Sequence, residues 1–250
     1  MDVWRRLYEV EGPGATVIDL YELVAAPRGL EPHELPVAER LELARTAMAV
    51  VWPGNAIVPG SERTGDTIEI VDYDPEWPNA FARWHLAICQ SLGDRAMRVD
   101  HIGSTSVPGL PAKAIVDILI CVSDLSDEPS YAPGLEAIGL QLRSRDDLHR
   151  YFRPFRDRPR DVHVHVCAHG SDWQSDHLLF RDFLRVHPDA HDPYAAVKRD
   201  AAERWGDDGI AYTDAKSAVI QDTLRAARAW SASSKGGEAN RARPRRCLVG

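Results

Sequence analysis

Apolar residues recur at three- and four-residue spacing along some stretches of this chain and alternate along others, and the two periods mark out its elements. Leu41, Ala44, Ala47 and Met48 share one face of a helix predicted over 36–50, with proline in its first turn. The following "VVWPGNAIVPG" ends that helix with proline and glycine. A short strand is predicted at 68–71. From Pro75, the spacing of Trp77, Phe81, Trp84 and Ile88 gives an amphipathic helix. Strands follow at 97–102 and 114–122, then a helix over 131–138. Further strands are predicted at 140–143, 149–155 and 162–167. Three helices, 172–186, 193–205 and 213–230, close the pattern.

Strands in the middle with helices at both ends predict an α+β protein whose sheet is covered on one face. The chain divides into an N-terminal helical extension (1–62), a main domain (63–230) and a small, polar, basic tail (231–250) that reads as disordered. There is no internal repeat.

Composition narrows the partners. The net charge is −8, yet the tail from Lys235 carries four net positive charges, which leaves −12 on the rest. A body that acidic is a poor match for a nucleic-acid backbone, so a small molecule is the expected partner. No apolar run reaches 18 residues, and "MDVWRRLYEVEGPG" lacks the apolar core of a signal peptide, so neither membrane nor export is expected. Cys89, Cys121, Cys167 and Cys247 have no paired spacing and read as reduced thiols of a cytoplasmic protein.

The chemistry concentrates in "HIGSTSVPGLPAKAIVDILI", residues 101–120, where a polar turn runs into an apolar strand that contains Asp117. Gly103, Ser104, Thr105 and Ser106 supply flexible backbone, free N–H groups and hydroxyls, the makings of a nest for phosphate oxygens. Twelve residues separate Ser104 from Asp117, enough for a loop and the start of the next strand. A carboxylate beside a phosphate site works through a divalent metal, since like charges repel, and Lys113 would offset phosphate charge. The plainer reading is a serine-rich loop with an aspartate that caps backbone donors.

These residues, with "HVHV", "LLFRDFLRVHPDAHDPYAAVK" and "YTDAKSAVIQDTL", resemble the GrpB family over about 68–230. That family is placed in the nucleotidyltransferase superfamily, whose fold is similar to the catalytic part of DNA polymerase beta. The resemblance implies a nucleotidyltransferase-like mixed β-sheet flanked by helices. It also implies a nucleoside triphosphate and a small-molecule or protein acceptor as partners, and a bacterial source.

Ile102, Gly103 and Ser104 match the first part of the superfamily pattern, and Asp117 and Ile118 match the second. Leu119 stands where a second metal-binding carboxylate is expected. His163 and His165, two apart on one strand face, occupy the region of the superfamily's third carboxylate. With Asp117 they would suit Mn²⁺, Zn²⁺ or Fe²⁺ better than Mg²⁺, and His101 is a further candidate. Otherwise the pair is simply hydrogen-bonded within the sheet.

On this reading Asp117 and His165 are catalytic, and Asp117, His163 and His165 hold the metal. Gly103, Ser104, Thr105, Ser106, Lys113 and Arg181 bind substrate. Arg181 otherwise pairs with Asp182 at the surface, and Lys198 and Lys216 read as solvated cations. A binding module that has lost its chemistry with Leu119 is the alternative. A histidine-dependent nucleotide hydrolase comes third, since Cys167 replaces the last histidine of that pattern.

Overall fold

The computed structural model describes residues 15–51, 56–58 and 67–234. Two helices come first, α1 (Val17–Ala25) and α2 (Val37–Val51), then an edge strand β1 (Ala56–Ile57). Helix α3 (Trp77–Leu92) leads into β2 (Arg98–Ile102), β3 (Val116–Val122) and α4 (Glu128–Ala137). Next come β4 (Leu140–Arg145), β5 (His149–Pro154) and β6 (Val162–Ala168). The described chain closes with α5 (Asp172–Val186), α6 (His191–Trp205), α7 (Gly209–Asp214) and α8 (Ser217–Ser234).

The strands form one six-stranded mixed sheet in the order β1-β4-β5-β6-β3-β2. β3 and β6 run parallel, which sets Asp117 opposite His163 and Leu119 opposite His165. β2 lies antiparallel on the other side of β3, with Ile102 opposite Asp117. Because side chains alternate along a strand, this register sorts the sheet into two unlike faces.

Val99, Ile118, Ile120, Val122, Phe152, Val164 and Val166 form the apolar face. It is buried under Phe81, Ile88 and Leu92 of α3 and Tyr131 and Leu135 of α4. Each such side chain contributes ~1.5–3 kcal/mol on burial, so this layer carries the stability of the sheet. The second face carries Asp117, Leu119, Cys121, His163, His165 and Cys167. Its centre is also covered, since Ile102, Leu119, Cys121 and Cys167 pack under Trp173 and Leu178 of α5. That corrects the expectation of a single covered face.

The α+β architecture is as the hydrophobic pattern predicts, with local differences. Residues 68–71 are not a strand. Val71 makes an isolated bridge with Ala112, and Ile68 donates its N–H to Gly206, so no neighbouring strand extends the pairing. The helix predicted over 213–230 is two, α7 and α8, separated at Ala215 and Lys216. Helix α1 was not expected. It is nucleated by a reciprocal cap, in which Thr16 Oγ1 accepts from the Asp19 N–H and Asp19 Oδ2 accepts from that of Thr16.

Val17, Tyr21, Ala25, Leu35 and Ala44 share a core with Ala201, Trp205, Ala211 and Tyr212. The N-terminal segment thus packs on α6 and α7. Among the cysteines, Cys121 and Cys167 are free and buried. Cys89 is buried on α3, with its Sγ 3.8 Å from the His85 ring. The side chain of Met48, Cys247 and the basic tail from residue 235 lie outside the described residues. No described helix is long and apolar enough to cross a membrane.

Candidate functional site

Gly103 leaves β2 with φ 66° and ψ −175°, a conformation that L side chains rarely adopt. Ser104–Ser106 then forms a single tight helical turn. It is closed by Ser106 Oγ, which donates to the Gly103 carbonyl at 2.6 Å, and by the Val107 N–H on the Ser104 carbonyl at 3.1 Å. Asp117 enters β3 directly beside it. A Cβ at Gly103 would meet Asp117 Oδ2 at 2.3 Å and its Cγ at 2.9 Å. Glycine is therefore required twice over, by its backbone angle and by the carboxylate against it. The turn and Asp117 form one continuous wall.

Asp117 Oδ1 lies 3.2 Å from His163 Nδ1 and 4.0 Å from His165 Nε2. The other nitrogen of His163, Nε2, accepts from Arg160 Nε at 3.0 Å. A guanidinium N–H can only donate, so the His163 proton sits on Nδ1 and is given to Asp117. Burial pushes the Asp117 carboxyl up, but the His163 hydrogen bond and the nearby charges of His163, His165 and Lys113 outweigh it, leaving a pKa of about 2. Burial holds His163 down to about 4 and His165 to about 3 against the pull of Asp117, so both imidazoles are neutral at pH 7.

The two histidines are not equivalent. His163 has both nitrogens engaged. The His165 ring lies among Tyr151 (5.1 Å), Trp173 (5.4 Å) and His149 (5.7 Å), and its buried Nδ1 has no hydrogen-bond partner among the described residues. Among the described residues, no group of three or more histidine, cysteine, aspartate or glutamate side chains is placed to hold a metal ion. The donors fit a cation in part: Asp117 and neutral His165 would hold it, and the remaining oxygens would come from a ligand or water. His163 does not fit as a ligand without giving up Arg160 or Asp117.

The structure separates other residues from this wall. His101 is one residue from Ile102 and so on the opposite face. It stacks on Phe81 with ring centroids 4.8 Å apart and places Nε2 3.0 Å from Thr105 Oγ1. Thr105 is buried, at 1% exposure. Arg181 is 5% exposed and spends its donors on Asp100 Oδ1, the His101 carbonyl and Asp182 Oδ1. It braces β2 from α5 through Nη1, and its Nε holds Asp182. Leu119 is fully buried in the apolar cluster beneath Trp173.

Besides Arg185, which donates to the Ser106 carbonyl at 2.8 Å, three lysines stand near the turn, and two of them the sequence misplaces. Lys113 comes from the loop before β3. Lys198, read as a solvated cation, is 2% exposed on α6, and its Nζ donates to Ser104 Oγ at 3.0 Å and to the Pro111 carbonyl. Lys216, at the junction of α7 and α8, sets its ammonium 3.9 Å from the Tyr212 ring centroid. Lys113 approaches the same ring at 4.8 Å, and Lys198 the Tyr194 ring at 4.6 Å. Burial lowers all three, Lys198 and Lys216 to about 7, while the charge of Asp117 raises them. The only hint in the sequence was their place within the blocks that carry the family resemblance.

Comparison with known proteins follows the same boundaries. The GrpB protein family profile matches residues 67–226. A UPF0157 protein of Halalkalibacterium halodurans is 41% identical over 163 residues, 65% of this chain and 84% of that protein. A dephospho-CoA kinase of Mycolicibacterium paratuberculosis is 34% identical over 193 residues, 67% of this chain but 47% of the kinase, so the match spans about half of that longer protein. The crystal structure of GrpB from Enterococcus faecalis aligns with a TM-score of 0.58 at 29% identity, covering 65% of this chain and 99% of that one. On the extent of the profile match and the closeness of these relatives, the chain belongs to the GrpB family.

Proposed function

We propose that this chain binds a nucleoside triphosphate on the Gly103–Ser106 turn and transfers its nucleotidyl group to an acceptor. The acceptor oxygen would attack the α-phosphorus in line. A new oxygen–phosphorus bond forms there, the bond to the β-phosphate breaks, pyrophosphate leaves, and the acceptor proton passes to solvent. One observation carries the reading: Asp117 stands against Gly103 so closely that a methyl group cannot fit between them. A phosphate held by the turn would therefore meet an ionised carboxylate, and a divalent cation between them would offset that repulsion.

Asp117 and His165 would hold that divalent cation, which when bound offsets the charge that develops on the phosphate oxygens. His163 positions Asp117, and Arg160 fixes the His163 tautomer. With a pKa of about 3, His165 is a poor proton acceptor at neutral pH, which favours a ligand role over that of base. Catalysis would rest on positioning and charge.

The test is release of pyrophosphate, and of label from an α-labelled nucleoside triphosphate, with Mg²⁺, Mn²⁺ or Zn²⁺. Metal-dependent turnover that falls at least 100-fold in Asp117→Asn is expected. Full turnover in that variant would overturn the mechanism.

Leu119 favours a second reading. The position of the missing carboxylate is not merely substituted but absorbed into an apolar cluster with Ile102, Cys121 and Cys167. A chain that binds the nucleotide without turning it over would keep the turn and need no second carboxylate. Nucleotide affinity with no pyrophosphate released under any metal would decide for it.

A further inference from the structure

Lys113, Lys198 and Lys216 come from three separate elements: Lys198 is bonded to Ser104 of the turn and to Pro111, two residues before Lys113, and Lys113 and Lys216 share the Tyr212 ring. Among the described residues no carboxylate lies within ion-pair distance of any of the three. Asp117 is the negative charge they share, and each lysine is lowered by the charge of at least one other cation. Lys198 is explained as a strut, since its ammonium is bound to Ser104 Oγ and the Pro111 carbonyl. Lys113 and Lys216 are not explained that way. Their ammonium groups form no hydrogen bond with the described residues and rest on the ring of Tyr212. A chain of net charge −8 thus concentrates positive charge at one half-buried place, against the cost of desolvating it.

We propose that Lys113, Lys198 and Lys216, with Ser104 and Tyr212, form a binding site for a condensed phosphate chain of two or more phosphoryl groups. The location rests on the reading of the turn as a phosphate site, but binding here needs no metal and no turnover. A single phosphate brings about −2 of charge. A condensed chain brings more and spreads its oxygens, which suits cations standing on two different tyrosine rings and on the turn hydroxyl. Lysine suits this ligand as a mobile point charge. The source is either the tail of a nucleoside triphosphate or a free inorganic chain.

The experiment is calorimetric titration of the full chain with pyrophosphate, tripolyphosphate, orthophosphate and ATP, in a chelator that removes divalent metal. Pyrophosphate and tripolyphosphate should bind, with orthophosphate at least about tenfold weaker, a difference of 1.4 kcal/mol. Lys216→Gln, at a position that is not fully buried, should weaken tripolyphosphate about tenfold without lowering the melting temperature. Lys198→Ala should weaken it too, with the melting temperature recorded, since Lys198 also braces the turn.

ATP binding more tightly than tripolyphosphate would identify the nucleotide as source; the reverse order would identify the free chain. No binding of either condensed phosphate to folded protein, or unchanged affinity in Lys216→Gln, overturns the proposal. Asp117→Asn separates it from the transfer reading. That variant should lose turnover yet bind tripolyphosphate at least as tightly, because it removes a like charge. Lysine-dependent binding in a chain with no transferase activity would sink the transfer reading and leave this site standing.

Discussion

The question posed by Asp117, a carboxylate at the start of an apolar strand, is answered by Gly103. The strand tolerates the charge because His163 donates to it and because Gly103 leaves it room. Gly103→Ala would force the carboxylate away and strain a backbone at φ 66°, so we expect a loss of about 2 kcal/mol or more by chemical denaturation. A wild-type midpoint would refute the close approach. Leu119 carries the opposite lesson. The sequence invites Leu119→Asp as a repair of the missing carboxylate, but the side chain lies in an apolar cluster, and an aspartate there should cost about 3–5 kcal/mol. Stable folding of that variant would mean the cluster opens to water.

The lysines add a pH dependence whose sign can be worked out. Lys198 and Lys216 stand at about 7, facing Asp117, Lys113, each other, Arg199, and the rings of Tyr194 and Tyr212. A bound anion raises both. Affinity for tripolyphosphate should therefore be level below pH 7 and fall above it, about tenfold per unit for each lysine that takes up a proton. Titration in two buffers of different ionisation enthalpy would show that uptake at pH 8. Affinity that rises with pH would rule it out. The sequence displayed the turn and the aspartate because adjacent residues carry them. It hid Lys198 and Lys216 because their burial depends on how α6 and α8 pack, which no local pattern records.

Elements were legible where one period dominates. Helix α3 and strands β3 and β6 follow their apolar spacing, whereas 68–71 has strand-like residues but no strand beside it. Helix α7 was missed because six residues leave no period to read, and a helix that short does not stand alone. It is held from outside. Asp208 caps it by accepting from the Ile210 and Ala211 N–H groups, and the Tyr21 hydroxyl lies 3.0 Å from Asp208 Oδ2. At the other end, Asp214 accepts the Val17 N–H at 2.5 Å. The N-terminal segment, outside the family match, thus clamps the helix that presents Tyr212 to Lys113 and Lys216. Tyr21→Phe should cost about 1 kcal/mol and speed amide exchange across 209–214 while β3 and β6 stay protected. Equal acceleration in the sheet would show that the clamp is not local.

At the scale of the molecule, charge is distributed against expectation for a phosphate binder. The chain is acidic overall, at −8, yet three lysines lie at the candidate site. An oligophosphate would thus approach against a repulsive long-range field and bind in an attractive short-range one. Salt screens the two unequally. At 0.15 M the screening length is about 8 Å, which removes most of the distant repulsion and less of the half-buried attraction. Tripolyphosphate affinity should then change little, within about threefold, between 50 and 200 mM salt. Proteins that hold nucleic acid through an open basic surface lose about 10³ or more over that range. The measurement is the salt dependence of the tripolyphosphate titration beside a retardation assay with duplex DNA. A steep fall together with DNA binding would mean that the lysines belong to an exposed basic surface and not to an enclosed site.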